Sequence, residues 1–375
     1  MDAMREDWEL LAGLLPMGWE QQAVLSGATE RVRGFTSTSS LLRTLLLHVG
    51  QGYSLRETVV RAKAGGLAEV SDVALMKRLQ KAEGWLRGLC VSLLKEAGWE
   101  VPMEVHGYRV RALDGTLVKE PGRFGSRWRI HYSVQIPSLV CDHFTVTAVK
   151  GSGTGESLAR FTASAGDLVL ADRGFCRGPG IEALHRQGAA VMVRLNTSAL
   201  PLLTSDGSRF DLAGEMATLS EPGQAREWPV WIAGTDGRIG GRLCVIRKSE
   251  AAAERARRKI KRKAQQGGPQ PKPETLRYAQ YVMIFTTVPA SAFPATAVLE
   301  WYRARWQIEL AFKRLKTLAA LGALPKHNDR SARAWLYGKL LVVLLGQKLE
   351  RLGRNISPWG YRLPEAWKWQ RVAGL

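Results

Sequence analysis

Three acidic residues in this chain stand where acids can do chemistry. Asp114 follows the alternating run YRVRAL and precedes Gly115; Asp172 follows LVLA and precedes Arg173 and Gly174. Each pattern predicts a strand that ends on a carboxylate with open backbone beside it, the place where α/β sheets present their sites. Taken singly, an Asp at a strand end also serves as a turn former or a helix cap. The third acid, Glu309, lies in WYRARWQIELAFKRLKTLAALG, which has no Pro and no Gly before Gly322, so one continuous helix is expected. On it Tyr302, Arg305, Glu309, Lys313 and Lys316 recur at helical steps, and at about 100° per residue they share a stripe roughly 80° wide. Ile308, Phe312, Leu315 and Ala319 form an apolar stripe about 100° to one side, which would seat the helix on a sheet. A solvated face with pairs such as Glu309 to Lys313 accounts for the charges, at about a few tenths of a kcal/mol each. It does not account for the Arg and Tyr one and two turns before the acid. Carboxylates without a His or Cys cluster suit a hard divalent cation such as Mg²⁺, held by few carboxylates and by substrate phosphate. Arg305 and Lys316 would then face those phosphates.

The elements that must position these residues follow from changes of period. Residues 1–103 read as helical, with apolar positions three and four apart, and Ser54 with Glu57 forms a capping box before a helix that stops at Gly65-Gly66. Arg43, Arg56, Arg61, Lys63, Lys77 and Arg78 on the polar sides make this either a DNA-binding module or an ordinary solvated bundle. From 104 to 197 the period becomes two: three strands in series, then strands alternating with helical stretches, the order of a ribonuclease-H-like α/β core. Residues 198–295 read as a mainly β insertion. Within it, 247–273 is a charged, helix-prone run ending in Gly, Pro and Gln, read as a mobile basic arm. The core resumes at 296–325, and 326–375 is a C-terminal helical segment. GSGTGE (151–156) lacks the Gly-Lys-Ser/Thr of a phosphate loop and reads as a turn.

Composition narrows the partners. Lys and Arg number 54 against 34 Asp and Glu, a formal charge of +20 over 375 residues. That balance points to a polyanion, above all a nucleic acid, although a soluble basic or ribosome-bound protein shares it. Cys90, Cys141, Cys176 and Cys244 form no CxxC pair, which argues against zinc ribbons and disulfide frameworks. The acidic N-terminus lacks a signal-like apolar region, and LLVVLL (340–345) is too short to span a bilayer, so a cytoplasmic, nucleoid-associated protein is expected.

Tyr302, Arg305, Glu309 and Lys316 fall in register with the Tyr-x2-Arg-x3-Glu-x6-Lys signature, and the chain thereby resembles the bacterial insertion-sequence DDE transposases that carry it. LDGT around Asp114 and ADRGF around Asp172 are similar to the first and second acid motifs of that group. The resemblance implies a ribonuclease-H-like core with a β insertion before the third acid. It also implies two Mg²⁺ ions, replaceable by Mn²⁺, on Asp114, Asp172 and Glu309. Tyr302, Arg305, Lys313, Lys316 and Arg173 would grip DNA, namely the element's inverted-repeat ends and the target, with a homodimer holding the ends. A structure-specific nuclease or recombinase of the same fold, or a DNA-binding regulator with an inactive core, are the competing readings.

Overall fold

A computed structural model describes residues 3–30, 33–98, 104–119, 126–136, 141–151, 154–266, 270–303, 305 and 329–354. The N-terminal region is helical: α1 (Ala3–Gly13), α2 (Trp19–Leu25), α3 (Thr38–Gln51), α4 (Leu55–Ala64), α5 (Asp72–Lys81) and α6 (Glu83–Gly98). Local capping sets these boundaries. Ser37 and Ser40 close a capping box at the start of α3, and the Ser54 hydroxyl accepts the Glu57 N–H at 3.1 Å where α4 begins. Helix α4 stops before Gly65, as its sequence requires.

Strands follow: β1 (Glu104–Val105), β2 (Tyr108–Lys119), β3 (Ser126–Gln135), β4 (Cys141–Ala148), β5 (Asp167–Ala171) and β6 (Ala190–Arg194), with α7 (Gly178–Arg186) between the last two. Strands β2, β3 and β4 are antiparallel neighbours, whereas β2–β5 and β5–β6 are parallel. The order β4-β3-β2-β5-β6 is that of a mixed α/β sheet of ribonuclease-H-like type. The region after β6 supplies α8 (Leu212–Ala217), β7 (Ala225–Gly234), β8 (Gly237–Arg247), α9 (Glu250–Gln265), α10 (Pro273–Tyr278) and β9 (Tyr281–Thr286). Its strands form no separate layer. They continue the same sheet as β6-β9-β8-β7, giving nine strands with β1. The charged run read as a mobile arm is, over 250–265, the helix α9. The Ser249 hydroxyl caps it, Ala253 is fully buried, and Arg257 pairs with Glu250 at 2.9 Å.

Two more helices complete the described chain, α11 (Ala295–Arg303) and the 26-residue α12 (Asp329–Arg354). No described helix is long and apolar enough to cross a membrane. Alternation along the strands feeds two cores, one on each face. Val110, Ala112, Leu168 and Leu170 point into a core shared with Trp85, Leu89, Leu336 and Leu340 of α6 and α12. Leu113, Val169 and Ala171 point the other way, toward Ile181 and Leu184 of α7 and Phe285 of β9. Strand β5 is therefore buried on both sides, which its unbroken apolar run DLVLA encodes.

Candidate active site

Parallel pairing of β2 with β5 brings the two strand acids together. The last paired residues are Ala112 and Leu170, and Asp114 and Asp172 each lie two residues beyond, at the same level. With the period of two they project on the face that carries Ala112 and Leu170. Asp114 does not end its strand, contrary to the sequence expectation. Strand β2 runs on to Lys119 because β3 stays paired beside it, with Asp114 opposite Tyr132. What stops after Ala112 is the pairing with β5, so the backbone is open on that side, as the sequence suggested. Asp172 leaves β5 in extended conformation at the head of a short 3-10 turn, Arg173–Phe175, and its side chain does not cap that turn.

The surroundings of Asp114 decide its charge. Burial raises its carboxyl from the ordinary carboxylate range to about 6. The Gly115 N–H, which donates to Oδ1 at 2.7 Å, and Arg305 oppose the rise, while Asp172 and Glu156 add to it. Tyr302 packs over the same edge. Its hydroxyl donates to the Ala171 carbonyl at 3.1 Å, which ties the end of α11 to the residue preceding Asp172. Burial pushes that hydroxyl well above its usual range. The Arg305 guanidinium lies 5.8 Å from the Tyr302 ring centre, and the Arg305 N–H donates to the Tyr302 carbonyl at 3.2 Å.

Four residues nominated from sequence, Asp114, Asp172, Tyr302 and Arg305, therefore converge on one sheet edge. Arg173 follows Asp172 and is exposed. Glu309, Lys313 and Lys316 lie outside the described residues, as does most of the helix expected over 301–322; within it α11 reaches Arg303 and Arg305 stands in a turn. Among the described residues no three His, Cys, Asp or Glu side chains stand together as a ready metal site.

Two residues at this edge escaped sequence reading. Glu156, in the segment taken only as a turn, packs against both Gly115 and Gly174. Arg194 ends β6, the next parallel strand, and its charge acts on Tyr302. Nothing local in the sequence marked either of them. Of the basic residues nominated in the N-terminal helices, several are engaged within the chain. Arg56 pairs with Asp72, Arg61 with Glu57, Lys63 with Glu69, and Arg78 donates to the Glu30 carbonyl.

Comparison with known proteins shows the family. The transposase DDE domain family matches residues 105–345, which contain all three acids. The transposase for insertion sequence element IS421 of Escherichia coli is 32% identical over 354 residues, covering 92% of this chain and 94% of its own. The transposase for insertion sequence element IS231E of Bacillus thuringiensis subsp. finitimus is 24% identical over 315 residues, covering 74% of this chain and 65% of its own. Among solved structures, the piggyBac transposase synaptic complex with hairpin DNA aligns with 97% of this chain and 76% of that one, at 10% identity and a TM-score of 0.46. With the family match covering residues 105–345 and a relative 32% identical over 92% of this chain, the chain belongs to the DDE transposases of insertion sequences, enzymes that act on DNA.

Proposed function

We propose that this chain is a transposase of the Tyr-Arg-Glu-Lys signature group, which cuts its element's ends and joins them to target DNA through Asp114, Asp172 and Glu309. The register that sets Asp114 and Asp172 level on adjacent parallel strands, with Tyr302 and Arg305 against them, supports this reading most. Their donor set fits Mg²⁺ or Mn²⁺, because the oxygens are hard and a divalent cation would favour the ionised form of the raised Asp114 carboxyl. Two such ions, when bound, would activate the attacking oxygen and steady the departing one.

The chain's own part is positional. Tyr302, anchored on the Ala171 carbonyl, holds α11 to the strand that carries Asp172 and so delivers Arg305 beside the acids. Arg305, Arg173, Lys313 and Lys316 would grip the phosphates of the end being cut, charge-assisted contacts that fix the scissile bond in line. Residues 104–197 and 296–325 would form the catalytic core, and residues 1–103 together with the basic helix α9 would hold flanking DNA. Two copies, one at each end, would act together in the bacterial cytoplasm.

Incubation with the flanking inverted repeats and Mg²⁺, with nicks and joints mapped, tests the proposal. The expected result is cleavage at the element ends and strand transfer, both abolished by chelator while end binding persists. Cleavage undiminished in chelator overturns the metal reading. Nicks without joints favour a nuclease, and binding without nicks favours a regulator.

A further inference from the structure

Glu156 is a carboxylate at the catalytic edge that the triad does not use. It lies just before a short 3-10 turn, Leu158–Arg160, and its base is fixed. Leu158 is fully buried, and a Cβ on Gly180 of α7 would stand only 3.1 Å from the Leu158 nitrogen. The Ser157 hydroxyl caps the turn, accepting the Ala159 N–H at 3.3 Å. From this base the side chain reaches two glycines. A Cβ on Gly115 would stand 3.2 Å from both Glu156 Cγ and Oε1, and one on Gly174 would stand 2.5 Å from Oε2, closer than real Cβ contacts come. Gly115 follows Asp114, and Gly174 lies two residues past Asp172.

A guanidinium faces the carboxylate from behind. Arg129 of β3 has its Nε 3.9 Å from Oε1 and donates from Nη1 to the Thr154 carbonyl at 3.2 Å, with side chains 17% and 33% exposed for Arg129 and Glu156. Alternation along β2 turns Gly115 to the face opposite Asp114, so Glu156 lies beneath the edge rather than beside the two acids. It forms no ready three-ligand group with them among the described residues. Its place is that of a wedge between the backbone that carries Asp114 and the backbone that follows Asp172.

We propose that Glu156 is a positioning residue: its side chain seats the Asp114 strand against the turn after Asp172 and thereby sets the spacing of the two carboxylates. The inference rests on the metal reading above. Mg²⁺ and Mn²⁺ demand near-octahedral oxygen geometry, so a displacement of about half an ångström between two ligands is felt in affinity. A methyl group on Gly174 would meet only the end of the Glu156 side chain, so it would displace the carboxylate from its place between the two segments.

Mn²⁺ binding to the full chain, followed by electron paramagnetic resonance or calorimetry beside thermal unfolding, tests this without turnover. Asp114→Asn is the reference and should weaken Mn²⁺ strongly. Gly174→Ala and Glu156→Ala should each weaken it by about ten-fold, as losses around a metal's ligands do, with Tm near the parent's. Glu156→Gln, which keeps the wedge, should stay within about two-fold of the parent, and Glu156→Ala introduced into Gly174→Ala should restore part of the loss. If Asp114→Asn weakens Mn²⁺ while Gly174→Ala and Glu156→Ala do not, the wedge is wrong and the metal reading stands. If Asp114→Asn has no effect, the metal reading fails and the wedge with it. Should Gly174→Ala not fold, Glu156→Ala against Glu156→Gln carries the same decision, and equal affinities for those two overturn the proposal.

Discussion

Asp114 stores a measurable cost in the resting protein. Its folded carboxyl titrates at about 6, above the ordinary 3.8, so the folded state favours the protonated form. The ionisation penalty is absent below the ordinary value, sets in as pH rises through the interval, and is complete above about 6. Without divalent ions, Asp114→Asn should therefore be more stable than the parent at pH 7–8, by up to roughly 3 kcal/mol for a shift of this size, and the gap should close by about pH 4. His131 and His143, which burial lowers to about 4, lose stability in the opposite sense as pH falls from 6.5, but they are common to both proteins and cancel in the difference. Thermal unfolding across pH 4–8 measures it; identical curves would mean that Asp114 is not held in a costly charged state. At this scale much of the site was legible. A strand, an acid and a glycine in series marked both Asp114 and Asp172, and helical spacing marked Tyr302 and Arg305. Glu156 was not legible, because its contacts with Gly115 and Gly174 come from chain segments far apart in sequence and no local period encodes them.

Among the elements, the run 247–273 was read as helix-prone, basic and mobile, and over 250–265 it is the helix α9. Its start meets the rest of the chain where Ala253 is buried and, two residues before the helix, where the Lys248 ammonium donates to the Ala279 carbonyl at 2.6 Å, both tertiary contacts that composition does not reveal. Its exposed Arg255, Arg258, Lys259 and Arg262 share a stripe about 100° wide, a row of cations suited to a polyanion, with Arg258 also paired to Glu254 at 3.5 Å. Neutralising these four should flatten the slope of log K against log salt by up to roughly four units, and an unchanged slope would make α9 a solvated spacer. The inserted strands are a second instance. Their period of two was visible, but not that β9 would pair with β6 and carry β8 and β7 into the same sheet, since a strand's partner is set by packing. Gly241 shows how close that packing is: a Cβ there would stand 2.7 Å from both the Phe285 ring and the Thr286 carbonyl of β9. Gly241→Ala should cost about 1–3 kcal/mol in chemical or thermal unfolding, and a neutral result would mean that β8 and β9 are further apart than described.

For the whole molecule, a net charge of +20 favours a polyanion at the surface, and the proposed chemistry lies at the sheet edge. Helices α6 and α12 share one core with the strands that lead to Asp114 and Asp172, so the N-terminal helices and this sheet edge are packed together. The central claim is that Asp114, Asp172 and Glu309 cut DNA with divalent ions. Its most direct test compares Mg²⁺-dependent nicking of inverted-repeat DNA by the parent, Asp172→Asn, Glu309→Gln and Glu300→Gln. The last is a control, an exposed residue of α11 about 180° around the expected helix from Glu309. The account predicts that Asp172→Asn and Glu309→Gln lower nicking by about a hundred-fold or more with end binding kept, while Glu300→Gln changes neither. Nicking at the parent's rate by either Asp172→Asn or Glu309→Gln would contradict it.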